Sequence, residues 1–327
     1  MLSRRNFLCA TAAFAGTAAA GKSALANNTK FPSRPIRIIV PFAAGGGVDV
    51  YARLLAEKIA QQTGAVFVVD NRPGGNATIG GNAVKTGAAD GHTLLFSAAT
   101  HMMARHVIKN APYDPLLDFA SIARVGEAPM LLVMTPGRSP ATVKDLIAAI
   151  KKEPGQWTFG TANLGAPGHL ATLAFNQAAG LDTQIVPYRG TAPALNDVAG
   201  GHIQLLIDPV LALLPMANDK KVKGLAVTSS QRTRLAPDIP TIAESGLAGF
   251  DHASWYGLWG PKDMPPELVA TLNQMANNAV KQLDAEGRLA QLGIEPVVEA
   301  PKQFADYAAK YVARNAELLA NAKFEPV

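Results

Sequence analysis

The sequence predicts an α/β protein of two lobes around a cleft, each lobe a mixed or parallel sheet flanked by helices. Three observations predict it. Short β-branched runs alternate with helical patterns from Pro35 onward, the alternation starts again near Met130, and each series has one strand that runs into a glycine-rich turn and then a helix. Such alternation marks βαβ units, in which a crossover helix joins parallel strands.

The first strand is read at Ile36–Val40 and is followed by a helix over 49–63. Val48, Ala52, Leu55 and Ile59 share one face of that helix, Arg53, Glu57 and Lys58 are turned away, and Gly64 stops it. A strand over 66–70 leads into the turn cluster Asn71-Arg72-Pro73-Gly74-Gly75-Asn76, a small-residue helix to about Gly87 and a strand over 92–96. The second series has strands over 130–134, 158–159, 184–186, 203–207 and 222–227, with helices over 140–152 and 168–179. A strand over 254–259 precedes a helix over 265–283, and a helix over 302–320 closes the chain. These readings place the first lobe at 27–126 and 252–327 and the second at 127–251, with crossings near 124–129 and 250–257. No internal repeat of fixed period is visible.

Residues 1–26 run from Arg4 and Arg5 through an apolar stretch to Ala24-Leu25-Ala26, the order of an export signal cleaved after Ala26. Ser3-Arg4-Arg5-Asn6-Phe7-Leu8 fits the twin-arginine pattern for folded cargo, with the general secretion route as the alternative. Either route ends outside the cytoplasm, and the expected location is the periplasm. Cys9 is the only cysteine and lies in the signal, so the mature chain has neither a disulfide nor a cysteine metal site. The signal also takes Arg4, Arg5 and Lys22 with it, leaving 27 basic against 25 acidic residues. The remaining basic residues are scattered, which argues against nucleic acid as a partner. No later stretch reaches the roughly 18 apolar residues of a membrane span.

The most informative segment is Val40-Pro41-Phe42-Ala43-Ala44-Gly45-Gly46-Gly47-Val48-Asp49, a strand end running through glycines into a helix. A helix start leaves about four backbone N–H groups unsatisfied and carries roughly half a positive charge, so an anion can bind there without Lys or Arg. A tight βα turn with no ligand is the competing reading of the glycines. Asp49 is suited to cap the helix rather than to touch an anion. A second turn of the same kind is Thr158-Phe159-Gly160-Thr161-Ala162-Asn163-Leu164-Gly165-Ala166-Pro167-Gly168-His169. Two such turns facing each other across a cleft would clamp a carboxylate.

Phe31-Pro32-Ser33-Arg34-Pro35-Ile36-Arg37, the glycine-rich turn, Asn71-Arg72-Pro73-Gly74-Gly75, Ala89-Asp90-Gly91-His92-Thr93-Leu94 and Pro112-Tyr113-Asp114-Pro115 follow one another in a specific order. Gly160-Thr161 through His169-Leu170-Ala171, Tyr188-Arg189-Gly190 and 232–241 continue it. In these motifs the mature chain resembles the Bug-type extracytoplasmic solute-binding receptors of tripartite tricarboxylate transporters. The resemblance implies a Venus-flytrap fold in which Phe42, Ala44, Gly45, Gly46, Thr161, Asn163 and Gly165 grip one ligand carboxylate through backbone amides and bridging waters. It also implies a small organic carboxylate as ligand and transporter membrane subunits as partners. Ala98, Thr100, His101, Tyr188 and Asp208 are the candidates for distal specificity, from their positions at strand ends. Surface or capping roles compete at His101 and His169, and a solvent-facing or interlobe role at Arg189.

No catalytic residue, metal site or cofactor is assigned, and a monomer is expected. An exported dinucleotide-dependent oxidoreductase is the alternative, because Asp70 ends the second strand after the glycines. Its fingerprint fails in detail, since reading Gly45-x-Gly47 puts Val50 where close packing wants Gly or Ala. Hydrolase elbows, zinc-protease helices and phosphate-binding P-loops are missing from the sequence.

Overall fold

A computed structural model describes residues 31–188 and 190–327. The signal reading at 1–26 and the role of Arg189 therefore lie outside the described residues. Residues 34–327 form one compact unit.

The chain begins β1 (Ile36–Val40), α1 (Gly47–Thr63), β2 (Phe67–Asn71), α2 (Thr78–Lys85), β3 (Thr93–Ala98), a 3-10 turn at Ala99–Met103, and α3 (Ala104–Val107). A long strand β4 (Phe119–Met134) carries it into α4 (Val143–Lys152), β5 (Thr158–Thr161), α5 (Pro167–Ala179), β6 (Gln184–Pro187), α6 (Thr191–Gly200), β7 (Leu205–Pro209), α7 (Val210–Asn218) and β8 (Lys223–Val227). It returns through β9 (Ala253–Pro261), α8 (Pro266–Ala285), α9 (Arg288–Gln291), β10 (Glu295–Pro296) and α10 (Pro301–Asn321).

Among the described residues the strands run in the order β2-β1-β3-β9-β4-β7-β5-β6, with β8 and β10 also on β4. The parallel triplet β2-β1-β3 belongs to one half and β7-β5-β6 to the other. Antiparallel β4 and β9 pair along their length from Phe119↔Pro261 to Pro129↔Ala253, and beyond Pro129 strand β4 turns to β7 and β8. Residues 124–129 and 253–257, where the sequence places the crossings, lie on two neighbouring strands of one ladder. The result is the mixed-sheet, helix-flanked, two-lobed fold that the sequence predicts.

Alternation along the strands sets the layers. Leu205 and Ile207 of β7 pack with Phe159, Ala171 and Phe175 under α5, while Leu206 between them packs with Ala194, Leu195 and Leu213 under α6 and α7. The other half is centred on Trp255, Trp259 and Phe304, all fully buried. Each such side chain contributes about 1.5–3 kcal/mol by leaving water.

Two local readings change. Lys58 is not turned to solvent but buried, its Nζ 2.8 Å from Glu286 Oε1 because α8 covers that side of α1. Helices α6 and α7, α3 and the first part of β4 are additions to the sequence reading.

Candidate functional site

Strands β1, β3, β5, β6 and β7 all deliver their carboxyl ends to turns that lead into helices. Such ends are where open α/β sheets bind ligands. The two glycine-rich turns share a geometry that their sequences do not show. Gly45 and Gly165 have φ of 79° and 71°, a left-handed conformation that suits glycine. Each donates its N–H to the side chain four residues on: Gly45 to Asp49 Oδ2 at 2.8 Å, and Gly165 to His169 Nδ1 at 3.1 Å. The following N-cap residues, Gly46 and Ala166, have φ/ψ of −75°/163° and −66°/156°. Both turn their amides back three residues, to Ala43 O at 3.5 Å and Asn163 O at 3.3 Å, and both accept the first helical bond, from Val50 and Leu170.

Some of the expected amides already have internal acceptors. Those of Gly45, Gly46 and Gly165 are engaged within their own turns. Those of Ala44, Gly47 and Val48 in one turn, and Leu164 and Gly168 in the other, have no acceptor among the described residues. The donors available to an anion therefore sit beside the glycines that shape the turns.

Each tether has its own chemistry. Burial works against charge on Asp49, but bonds from Arg53, Gly45 and Asn71 outweigh it and hold the carboxyl below the usual carboxylate range. Asn71 Nδ2 donates to Phe42 O at 3.1 Å and Asp49 Oδ1 at 2.9 Å, and Arg53 Nη2 donates to Asn71 Oδ1 at 2.9 Å. Asn71 and Arg53 thus brace the first turn, a role that sequence reasoning missed; the signal was an Asn at the end of β2 beside an i,i+4 Asp–Arg pair. His169 is buried, and burial pushes its imidazole down to about 4, so Nδ1 is free to accept. Its part is to hold the turn rather than to cap generically.

The other candidates divide. Thr161 is fully buried and its hydroxyl donates to Asn163 O at 3.3 Å, so it shapes the second turn. Asn163 is half-buried in that turn. Ala98 and Thr100 are buried at and just past the end of β3. His101 is turned into the core, its ring 4.7 Å from that of Phe119 and 5.0 Å from that of Trp259, with Nδ1 3.0 Å from the Tyr113 hydroxyl. Burial pushes it down to about 3. Its Nε2 is buried and has no partner among the described residues. Tyr188 spends its hydroxyl on Asp197 Oδ2 of α6 at 2.6 Å. Asp208, near the end of β7, is 5% exposed with Oδ2 unpartnered among the described residues, and burial pushes its carboxyl up to about 7 against the Thr191 hydroxyl.

The second turn is held against the other half by residues outside the first turn. Asn76 Nδ2 in the turn after β2 donates to Leu164 O at 3.1 Å. Gly165 lies so close to Val107 that a Cβ there would be 2.6 Å from Val107 Cγ1. Grooves of about 520 Å³ and 600 Å³ run beside α5 and the end of α10, but neither is lined by Phe42, Ala44, Gly45, Gly46, Thr161 or Asp208.

Two halves bridged by an antiparallel strand pair, with matched amide-bearing turns, define a solute-binding protein of the periplasmic type. Residues 51–323 match the family model described as the tripartite tricarboxylate transporter family receptor, and the chain belongs to that family. It is 34% identical over 299 residues to Protein BugT of Bordetella pertussis, covering 91% of this chain and 92% of that one. The solved structure of the periplasmic binding protein BugD superposes with a TM-score of 0.80 at 33% identity, over 91% of this chain and all of that one. R. palustris Rpa4515, solved with adipate, gives 0.83 at 32%, covering 91% of this chain and 100% of the other. Family and neighbours are receptors, and the dinucleotide-dependent oxidoreductase reading gains no support.

Proposed function

We propose that this protein is a periplasmic receptor that captures a small organic carboxylate between the turns at 42–48 and 161–168 and presents it to the membrane subunits of a tripartite tricarboxylate transporter. The observation that carries this reading is the matched pair of turns. In each, an αL glycine is tied to the fourth residue on, and neighbouring amides at a helix start are left without acceptors. Two helix starts directed at one anion stabilise it without a basic side chain, and a solute that touches both halves favours the closed form. Adipate in Rpa4515 shows that a structural neighbour takes a carboxylate.

Within this reading, residues 1–26 direct export, 27–126 with 252–327 and 127–251 are the lobes, and the receptor works as a monomer without enzymatic turnover. Phe42, Ala44, Gly45, Gly46, Thr161, Asn163 and Gly165 form the proximal grip, the engaged glycines by shaping it; Ala98, Thr100, His101, Tyr188 and Asp208 border the distal end. Denaturing the purified protein and weighing what it releases tests the reading. A carboxylic acid at near-stoichiometric amount is expected, and a neutral sugar or a cation in its place would contradict it.

A further inference from the structure

Asp208 is an ionisable acid placed where an anion receptor has least use for a second negative charge. It lies two residues beyond Leu206, whose partner across the parallel ladder is Gly160, so it stands level with the start of the second turn. The first turn of α5 is pressed against it: a Cβ on Gly168 would be 2.3 Å from Ile207 O and 3.3 Å from Asp208 Oδ1. Thr191, the first residue of α6, faces the carboxylate with its hydroxyl, and Tyr256 of β9 lies close enough for the Asp208 charge to help raise its phenol. With 5% exposure and no hydrogen bond to Oδ2 among the described residues, the carboxyl holds an unmet acceptor beside two helix starts.

A buried acceptor left unmade destabilises a fold, and a ligand that supplies the donor recovers that loss on binding. A solute carboxylate held at the amides of the second turn would sit near Asp208, where two like charges repel. A hydroxyl or ammonium within one or two carbons of that carboxylate removes the conflict, because it donates to Oδ2 and separates the anions. We propose that Asp208 is the specificity-determining residue of this receptor, accepting a hydrogen bond from a donor borne by the captured acid, so that hydroxy- or amino-carboxylates bind in preference to alkyl carboxylates of equal length. This rests on the carboxylate reading above and adds the solute's second functional group.

Titration calorimetry of the wild-type protein, cleared of bound solute by unfolding and refolding, with acids of two to six carbons tests it. Each acid is supplied in alkyl, hydroxy and amino form. The best binder is expected to carry a donor and to bind at least about tenfold tighter than its alkyl counterpart, as a hydrogen bond to a charged group implies. Asp208→Leu should bring the two to within about threefold. Asp208→Asn separates the donors, because an amide carbonyl still accepts from a hydroxyl but no longer pairs with an ammonium. Alkyl acids that bind as tightly as, or tighter than, their hydroxy and amino counterparts overturn the proposal and leave the carboxylate reading standing. A panel in which no acid binds overturns both. If Asp208→Leu does not fold, the wild-type comparison decides alone.

Discussion

Asp208 costs the unliganded fold stability at neutral and higher pH. Its carboxyl is raised by burial from 3.8 to about 7, so the folded protein holds a proton that the unfolded chain has released. The sign follows from linkage: stability from this group is full below pH 3.8 and declines as pH rises to about 7. Asp208→Asn should therefore raise the melting temperature at pH 8, by an equivalent of about 1–3 kcal/mol, and change little at pH 4. Thermal unfolding at both values checks it. A drop in stability at pH 8 would mean that the carboxylate is well paired in the fold. A residue kept where it destabilises is a mark of function rather than packing. His101 differs in its surroundings, with its ring packed against Tyr113, Phe119 and Trp259.

At the level of elements, α1 and α5 start in the same way with different chemistry, a carboxylate tying one turn and an imidazole the other. The imidazole must stay neutral to accept from Gly165, and burial lowers His169 from 6.5 to about 4. Stability from this tether is full above pH 6.5 and is lost as pH falls towards 4, at up to about 1.4 kcal/mol per pH unit. His252 adds a similar loss, and His101 one that extends to about pH 3. His169→Asn keeps an acceptor oxygen and removes the titration, so its melting temperature should fall less than wild type between pH 6.5 and 4.5. An equal fall in both would show that the tether does not titrate. The glycine-rich turns were legible because glycines between a strand and a helix are a local signal. Their matching geometry was not, because Asp49 and His169 share no sequence similarity and act only through the acceptors they present. Helix α7 was missed for a related reason: Val210–Asn218 is apolar on most sides and contains Pro215, so no face stands out. The first part of β4 carries no strand signal in the sequence because Gly126 and Pro129 interrupt it, whereas pairing with β9 holds it extended.

For the whole molecule, β4 and β9 form the bridge between the halves, and Asn76 with Leu164 forms a contact across the cleft. If solute binding closes the lobes, a contact made only on closing contributes to affinity without touching the ligand. Asn76→Ala should weaken solute binding by about two- to tenfold, the worth of one hydrogen bond. It should also enlarge the radius of gyration at a fixed, subsaturating solute concentration in solution scattering, because less of the protein is closed; unchanged affinity and size would remove this contact from the closing mechanism. The central claim, capture of a carboxylate by the paired turns, is tested most directly by calorimetric titration of residues 27–327, cleared of bound solute, with mono- and dicarboxylates, alongside Gly46→Val. Gly46 has φ of −75° and an added Cβ would come no closer than 3.4 Å, to Ala43 O, so the backbone accepts a side chain that obstructs approach to the neighbouring amides. Saturable one-to-one binding of a carboxylate by the wild type, weakened at least tenfold in a folded Gly46→Val protein, is the predicted result; equal affinity in both, or binding confined to solutes without a carboxylate, would contradict it.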